Sequence, residues 1–281
     1  MREIDVARIT EVLKDACGRI ACDYSPDIVT ALNEGASNET DERSQMAMDM
    51  LLRNAEIAHS ERIPICQDTG LAIVYLTVGQ DVHFINGSLT DAVNAGIRQG
   101  YTEHFLRASA VKDPLFHRDN TKDNTPAVIY TKLVEGDQCT VELMAKGFGS
   151  ENMSRIKMLK PAEGIEGVRQ FVLETIQLAG PNACPPMIVG VGIGGTFDSC
   201  AVMSKHALMR PLGKVNPDPE YAALEESLLH QANQLHIGPM GLHGHTTALS
   251  IQIETAPTHI AGLPCAVNIC CHACRHAEVD L

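Results

Sequence analysis

The stretch Pro185-Pro-Met-Ile-Val-Gly-Val-Gly-Ile-Gly-Gly-Thr196 constrains the fold more than any other part of the chain. Two prolines stop the helical pattern before them, and Met187 to Ile193 then reads as a short, fully apolar strand. A helical pattern over Thr196 to Met209 follows at once and ends at Arg210-Pro-Leu-Gly213. Gly190, Gly192 and Gly195 match the dinucleotide fingerprint in this setting. That fold also needs a second parallel strand with an acid for the ribose, whereas here the helix runs into a Pro-rich loop. A tight strand-to-helix turn whose N–H groups can take an anion is the better reading, and a nicotinamide oxidoreductase is an alternative that NAD titration tests.

Elsewhere the front of the chain is mostly helical, over Ile4 to Leu13, Asp27 to Ala36 and Glu42 to His59. Leu71 to Val78 reads as a strand, and Ala127 to Val134 and Cys139 to Ala145 as a strand pair around the turn Glu135-Gly-Asp-Gln138. Glu166 to Gly180 and Tyr221 to Leu235 are amphipathic helices, and Ala248 to Glu254 and Pro264 to Ile269 are strands. This order predicts an α/β fold, with mixed α+β as the variant: a helical N-terminal part, then mixed sheet and helices. We expect one domain over 1–281, with a possible subdivision at the Pro-rich stretch 214–220.

The 22 Lys and Arg against 35 Asp and Glu leave a net charge of −13, which repels phosphate backbones, so nucleic acid is a poor partner. An anionic small molecule needs a local cluster of Arg, Lys, N–H groups or metal to reverse that field. The first ten residues are too charged for a secretion signal and no run is long enough to span a membrane, which predicts a cytoplasmic protein. There thiols stay reduced, so the ten cysteines point to metal, catalysis or burial rather than disulfides.

Cys17, Cys22, Cys139, Cys200 and Cys265 read as small buried hydrophobes. The tail Cys270-Cys-His-Ala-Cys-Arg-His276 invites a zinc site or a redox pair, but a second short-spaced ligand pair is missing unless His243-Gly-His245 supplies it. Cys66, in Pro64-Ile-Cys-Gln-Asp-Thr-Gly70, and Cys184, in Asn182-Ala-Cys-Pro-Pro186, lie where packing does not need a thiol. With Cys271 they form a non-local set, 118 and 87 positions apart, of the kind that holds an iron–sulfur cluster with one iron left open.

Four segments together resemble the class I, iron–sulfur-dependent fumarate hydratases and the related tartrate dehydratases, in their alpha region. These are Ile65-Cys-Gln-Asp-Thr-Gly70, Ala145-Lys-Gly-Phe-Gly-Ser-Glu-Asn152, Asn182-Ala-Cys-Pro-Pro186 with the glycine run, and Cys271-His-Ala-Cys-Arg275. The resemblance implies a [4Fe–4S] cluster on Cys66, Cys184 and Cys271, with Cys270 and Cys274 as bystanders. It implies a pocket in which Gln67, Asp68, Arg107 and His259 act on substrate and the backbone at Gly147 and Gly149 approaches it. Gly147-Phe-Gly149 departs from the family's frequent triple glycine.

The resemblance at Ser150-Glu-Asn152 is to the fumarate hydratases more than to the tartrate dehydratases, which lack this run, and so implies fumarate over tartrate. The implied protein is the alpha subunit of a two-subunit fumarate hydratase, a heteromer completed by a beta subunit that brings further cationic residues and the proton-abstracting threonine. Its substrate is a small dicarboxylate, fumarate or malate. A tartrate dehydratase alpha subunit and a zinc-stabilised binding module are the alternatives.

Overall fold

The computed structural model describes all 281 residues, and the fold is mixed α/β. The chain begins β1 (Arg2–Asp5), α1 (Val6–Cys22), α2 (Pro26–Asn38), α3 (Glu42–Glu61), β2 (Leu71–Gly79), β3 (Val82–Ile85) and α4 (Leu89–Glu103). It continues β4 (Val128–Val134), β5 (Cys139–Lys146), α5 (Phe148–Glu151), β6 (Arg155–Leu159), α6 (Gly164–Ala179) and β7 (Met187–Gly194). It ends α7 (Phe197–His206), α8 (Pro219–Asn233), β8 (Ala248–Ala256), β9 (Leu263–Cys270) and β10 (His276–Asp280). Two compact units result, the first from Met1–Ser25, Ala55–Phe148 and Arg275–Leu281, the second from Pro26–Asn54 and Gly149–Cys274.

In the first unit the sheet order is β10-β5-β2-β4. The strand pair expected around Glu135 to Gln138 does not form. β2 lies between β4 and β5, parallel to the former and antiparallel to the latter. The reason is burial: β2 is apolar along nearly its whole length and needs neighbours on both edges, while β4 exposes Thr131, Lys132 and Leu133 and suits an edge. The turn crosses the end of β2, where Gly79 N–H donates to Gln138 O at 2.7 Å and Asp81 N–H to Gly136 O at 2.9 Å.

α1 covers this sheet with Ile9, Leu13, Ala16, Cys17 and Ile20, a helical stripe, and α4 adds Val93, Ile97 and Tyr101. The helix expected from Ile4 begins two residues later. The Asp5 carboxylate caps it by accepting from Ala7 N–H at 2.9 Å, and the residues before it pair with β3.

The second unit carries the sheet β6-β9-β7-β8, with β7 parallel to β8 and antiparallel to β9. β7 is buried on both faces, and its alternation decides what covers each. Val189, Val191 and Ile193 join the core made with α6 and α8. Gly190 and Gly192 face α7, where an added Cβ would lie 1.9 Å from Ser204 O and 2.1 Å from Cys200 O. Helix and strand meet backbone to backbone, which only glycine permits.

The stretch 214–220 lies inside this second unit. Asn216 is buried there, its Nδ2 donating to Glu225 Oε1 at 2.8 Å and to Ile253 O at 3.1 Å. No helix is long and apolar enough to cross a membrane.

Candidate active site

The loop before β2 carries three of the expected residues, and the first unit fixes it from several sides. Ile65 is buried and its N–H donates to Ala21 O at the end of α1 at 2.8 Å. The Thr69 hydroxyl donates to Arg107 O at 3.0 Å, and the buried Tyr101 hydroxyl reaches both Thr69 O and Gly70 O. Burial drives the Tyr101 phenol pKa up, so it stays a neutral donor. Asn124, wholly buried, donates to Gly70 O and accepts from Ser109 and Ala110 N–H. Gly70 has φ +81° and its absent Cβ would fall 2.6 Å from the Ala145 carbonyl carbon, so both conformation and space demand glycine.

This bracing leaves Cys66 half-buried and Gln67 exposed, with Sγ and Oε1 3.7 Å apart. Asp68 is held at both oxygens, Oδ1 accepting from Gly70 N–H at 3.0 Å and Oδ2 from Phe148 N–H at 2.8 Å. The sequence motifs around Asp68 and Gly147 are thereby brought together: a Cβ on Gly147 would stand 3.3 Å from Asp68 Oδ2. Arg107 has an exposed side chain, while its carbonyl anchors Thr69.

In the second unit Cys184 ends a short 3₁₀ turn with φ +50°, a left-handed conformation that is uncommon outside glycine, and is exposed. Its carbonyl accepts from His272 N–H at 3.4 Å, so Cys184 and the segment holding Cys271 adjoin. Cys271 is half-buried while its neighbour Cys270 is buried. Gly149 opens this unit's part of the second motif, with free space where its Cβ would be. Glu151 of the same motif accepts from Lys205 Nζ at 2.6 Å and from Asn268 Nδ2 at 3.2 Å, tying it to β9 just before the cysteines.

His259 is exposed on a loop whose base is held by the glycine run: Gly195 N–H donates to Pro257 O and the Thr258 hydroxyl to Gly195 O. Two of the N–H groups that the sequence leaves for an anion at this turn are engaged within the fold. Gly195 N–H is engaged by Pro257, and Thr196 N–H donates to Ser199 Oγ at 2.7 Å. A parallel strand does follow, β8, but only after a second helix, and its Glu254 is engaged by His206 Nδ1 at 2.6 Å. The tail does not assemble a zinc site: Cys274 is buried with its Sγ toward Leu208 O, and no three His, Cys, Asp or Glu side chains gather as around a single ion.

The donor chemistry fits an iron–sulfur cluster better than a single ion. Of the ten cysteines, seven are buried, and the three that are not are Cys66, Cys184 and Cys271. In such clusters the thiolates bind different irons, so they need not crowd as they do around a single zinc ion.

The chain matches the family described as fumarate hydratase (Fumerase) over residues 10–280. It belongs to that family. Members of the fumarate hydratase family and its relatives are hydro-lyases. The chain is 40% identical over 279 residues to a putative L(+)-tartrate dehydratase subunit alpha of Methanocaldococcus jannaschii, covering 96% of each. It is 33% identical over 278 residues to the L(+)-tartrate dehydratase subunit alpha of Escherichia coli, covering 98% of this chain and 91% of that one.

For a fumarate hydratase family chain, the contrast among its thiols has a direct readout. Burial pushes Cys17 and Cys265 up to about 12 and raises Cys22, Cys139 and Cys200, so these stay protonated as well as covered. Iodoacetamide applied to the folded, iron-free chain is expected to label Cys66, Cys184 and Cys271 first, read by peptide mass spectrometry. Equal labelling of Cys17 or Cys265 on the same timescale contradicts this.

Sequence reasoning passed over two buried cations in these motifs. Lys146 is fully buried at the end of β5 and donates to Gly147 O at 3.3 Å, and Arg275 is 3% exposed. Both stand inside the quoted motifs, and the one signal was a lysine closing an otherwise apolar strand.

Proposed function

We propose that this chain is the cluster-bearing alpha subunit of a two-subunit hydro-lyase that reversibly adds water to fumarate to give malate. One observation carries the reading: the only three thiols outside the core are those that the family motifs nominate as cluster ligands. Cys66, Cys184 and Cys271 would hold a [4Fe–4S] cluster, and when bound that cluster supplies a Lewis acid for the substrate hydroxyl and carboxylate.

The chain's own residues do the rest of the work on this side of the site. Arg107 binds a substrate carboxylate, its place set by the bond from Thr69 to its carbonyl. Gln67 orients the dianion next to the first ligand. Asp68 assists proton transfer, and its two N–H donors hold it in one orientation so that little reorganisation accompanies the step. Gly147 and Gly149 let the substrate approach the backbone, and His259 contributes from its loop at the end of the glycine run. A beta partner supplies the remaining cations and the group that abstracts the proton.

L(+)-tartrate is the second reading, favoured by the names of the two relatives above. The test is turnover by the chain co-purified anaerobically with its beta partner, on fumarate, malate and L(+)-tartrate. Fumarate loss followed by ultraviolet absorbance is the expected result, with the lone chain hydrating poorly. Turnover of tartrate alone moves the assignment to tartrate, and turnover of none by a cluster-loaded complex overturns the hydro-lyase reading.

A further inference from the structure

We propose that Arg275 binds a carboxylate of the dicarboxylate substrate, as an anion-binding residue additional to Arg107. The inference deepens the hydro-lyase reading and rests on it. Arg275 follows the cysteine tail and leads into β10, and its carbonyl accepts from Ala145 N–H at 2.9 Å, which brings it against the end of β5. Its side chain is therefore interior, yet the buried Nε and Nη1 have no hydrogen-bond partner. Arg210, largely buried in the second unit, shows the usual arrangement, with Glu225 on its Nη2 at 2.7 Å. Buried N–H donors left unpaired on a guanidinium are costly to hold, and an anion brought to the group offsets part of that cost.

The surroundings say where that anion sits. Nη2 lies 3.5 Å from the point where a Cβ on Gly147 would be, and Asp68 Oδ2 lies 3.3 Å from the same point. The missing side chain of Gly147 thus leaves a notch walled by a cation and a carboxylate. Asp68 already accepts from Gly70 and Phe148 N–H, one on each oxygen.

A carboxylate entering the notch meets Nη2 end-on, with the Asp68 carboxylate beside it. That geometry suits a substrate whose second carboxylate is taken elsewhere, as by Arg107, and orients the carbon skeleton between them. Gly147 is then required for the space rather than for backbone freedom, because its φ is not in the left-handed region.

The test measures binding and turnover with the cluster-loaded chain in complex with its beta partner, using malate, fumarate and L(+)-tartrate as probes. Arg275→Gln is expected to raise the dissociation constant and KM for the bound dicarboxylate about 30-fold, the loss of one charge-assisted hydrogen bond, with a smaller change in kcat. Arg275→Lys should recover part of that loss. Gly147→Ala, which fills the notch and leaves the charge, should weaken binding about 10-fold, a loss on the scale of one such bond. Visible cluster absorption confirms that each variant is assembled, and if Arg275→Gln does not fold, the other two variants decide. Unchanged dicarboxylate binding in assembled variants overturns the role of Arg275 alone. A wild-type complex that carries its cluster and binds none of the three dicarboxylates overturns the hydro-lyase reading and this inference together.

Discussion

Serine in place of Cys66, Cys184 and Cys271 together is expected to lower turnover by about 1000-fold or more, because the proposed Lewis-acid centre would be lost with its soft ligands. The fold should hardly notice. None of the three is buried, so their replacement removes little packing, and the melting temperature of the metal-free chain should stay within a degree or so of wild type. Cys265→Ser is the opposing control: its thiol is wholly buried in the second unit's core, and a hydroxyl there should cost about 1–3 kcal/mol while leaving the cluster in place. Equal loss of stability from both sets, measured by thermal unfolding, contradicts this division of the cysteines.

Gly192→Ala carries a large expected effect on folding. Its methyl group would sit 2.1 Å from Cys200 O, a backbone atom in the middle of α7 that cannot rotate aside. The helix must lift from β7, exposing a seam that now excludes water, and the expected loss is about 3 kcal/mol or more. Gly149→Ala is the comparison, since nothing lies within 4 Å of its Cβ position. Its urea midpoint should match wild type. A Gly192→Ala protein as stable as wild type would mean that α7 does not pack on the glycine face as described.

Much of this fold is legible because the hydrophobic pattern is strong. The all-apolar run after Pro186 becomes β7, extended by one residue from the expected end, and the helices expected at Asp27 to Ala36 and Glu42 to His59 form over Pro26–Asn38 and Glu42–Glu61. The hairpin reading around Glu135 to Gln138 fails for a non-local reason. The turn chemistry is local, but whether β2 inserts between two strands depends on its burial demand, which no residue of the turn reports. The short strands β1, β3 and β10 have too few residues for a period to be read.

The candidate site divides in the same way. The thiols stood out by context, since polar or proline-rich neighbours argue against a buried role for Cys66 and Cys184 but not for Cys265. The two cations could not be found so, because lysine and arginine belong at the surface by default and only the folded chain shows Lys146 and Arg275 inside. Nor does the glycine run announce its use: the pattern that suggests a dinucleotide is spent on packing α7 against β7.

The central claim is that three specific thiols hold an iron–sulfur cluster that serves a hydration reaction. Iron and acid-labile sulfide, measured per chain after anaerobic reconstitution, test it most directly when wild type is set beside the Cys66, Cys184 and Cys271 triple serine variant. About four iron and four sulfide in wild type, and essentially none in the variant, is the predicted result. A wild-type chain that takes up neither, or a variant that takes up as much, would contradict it.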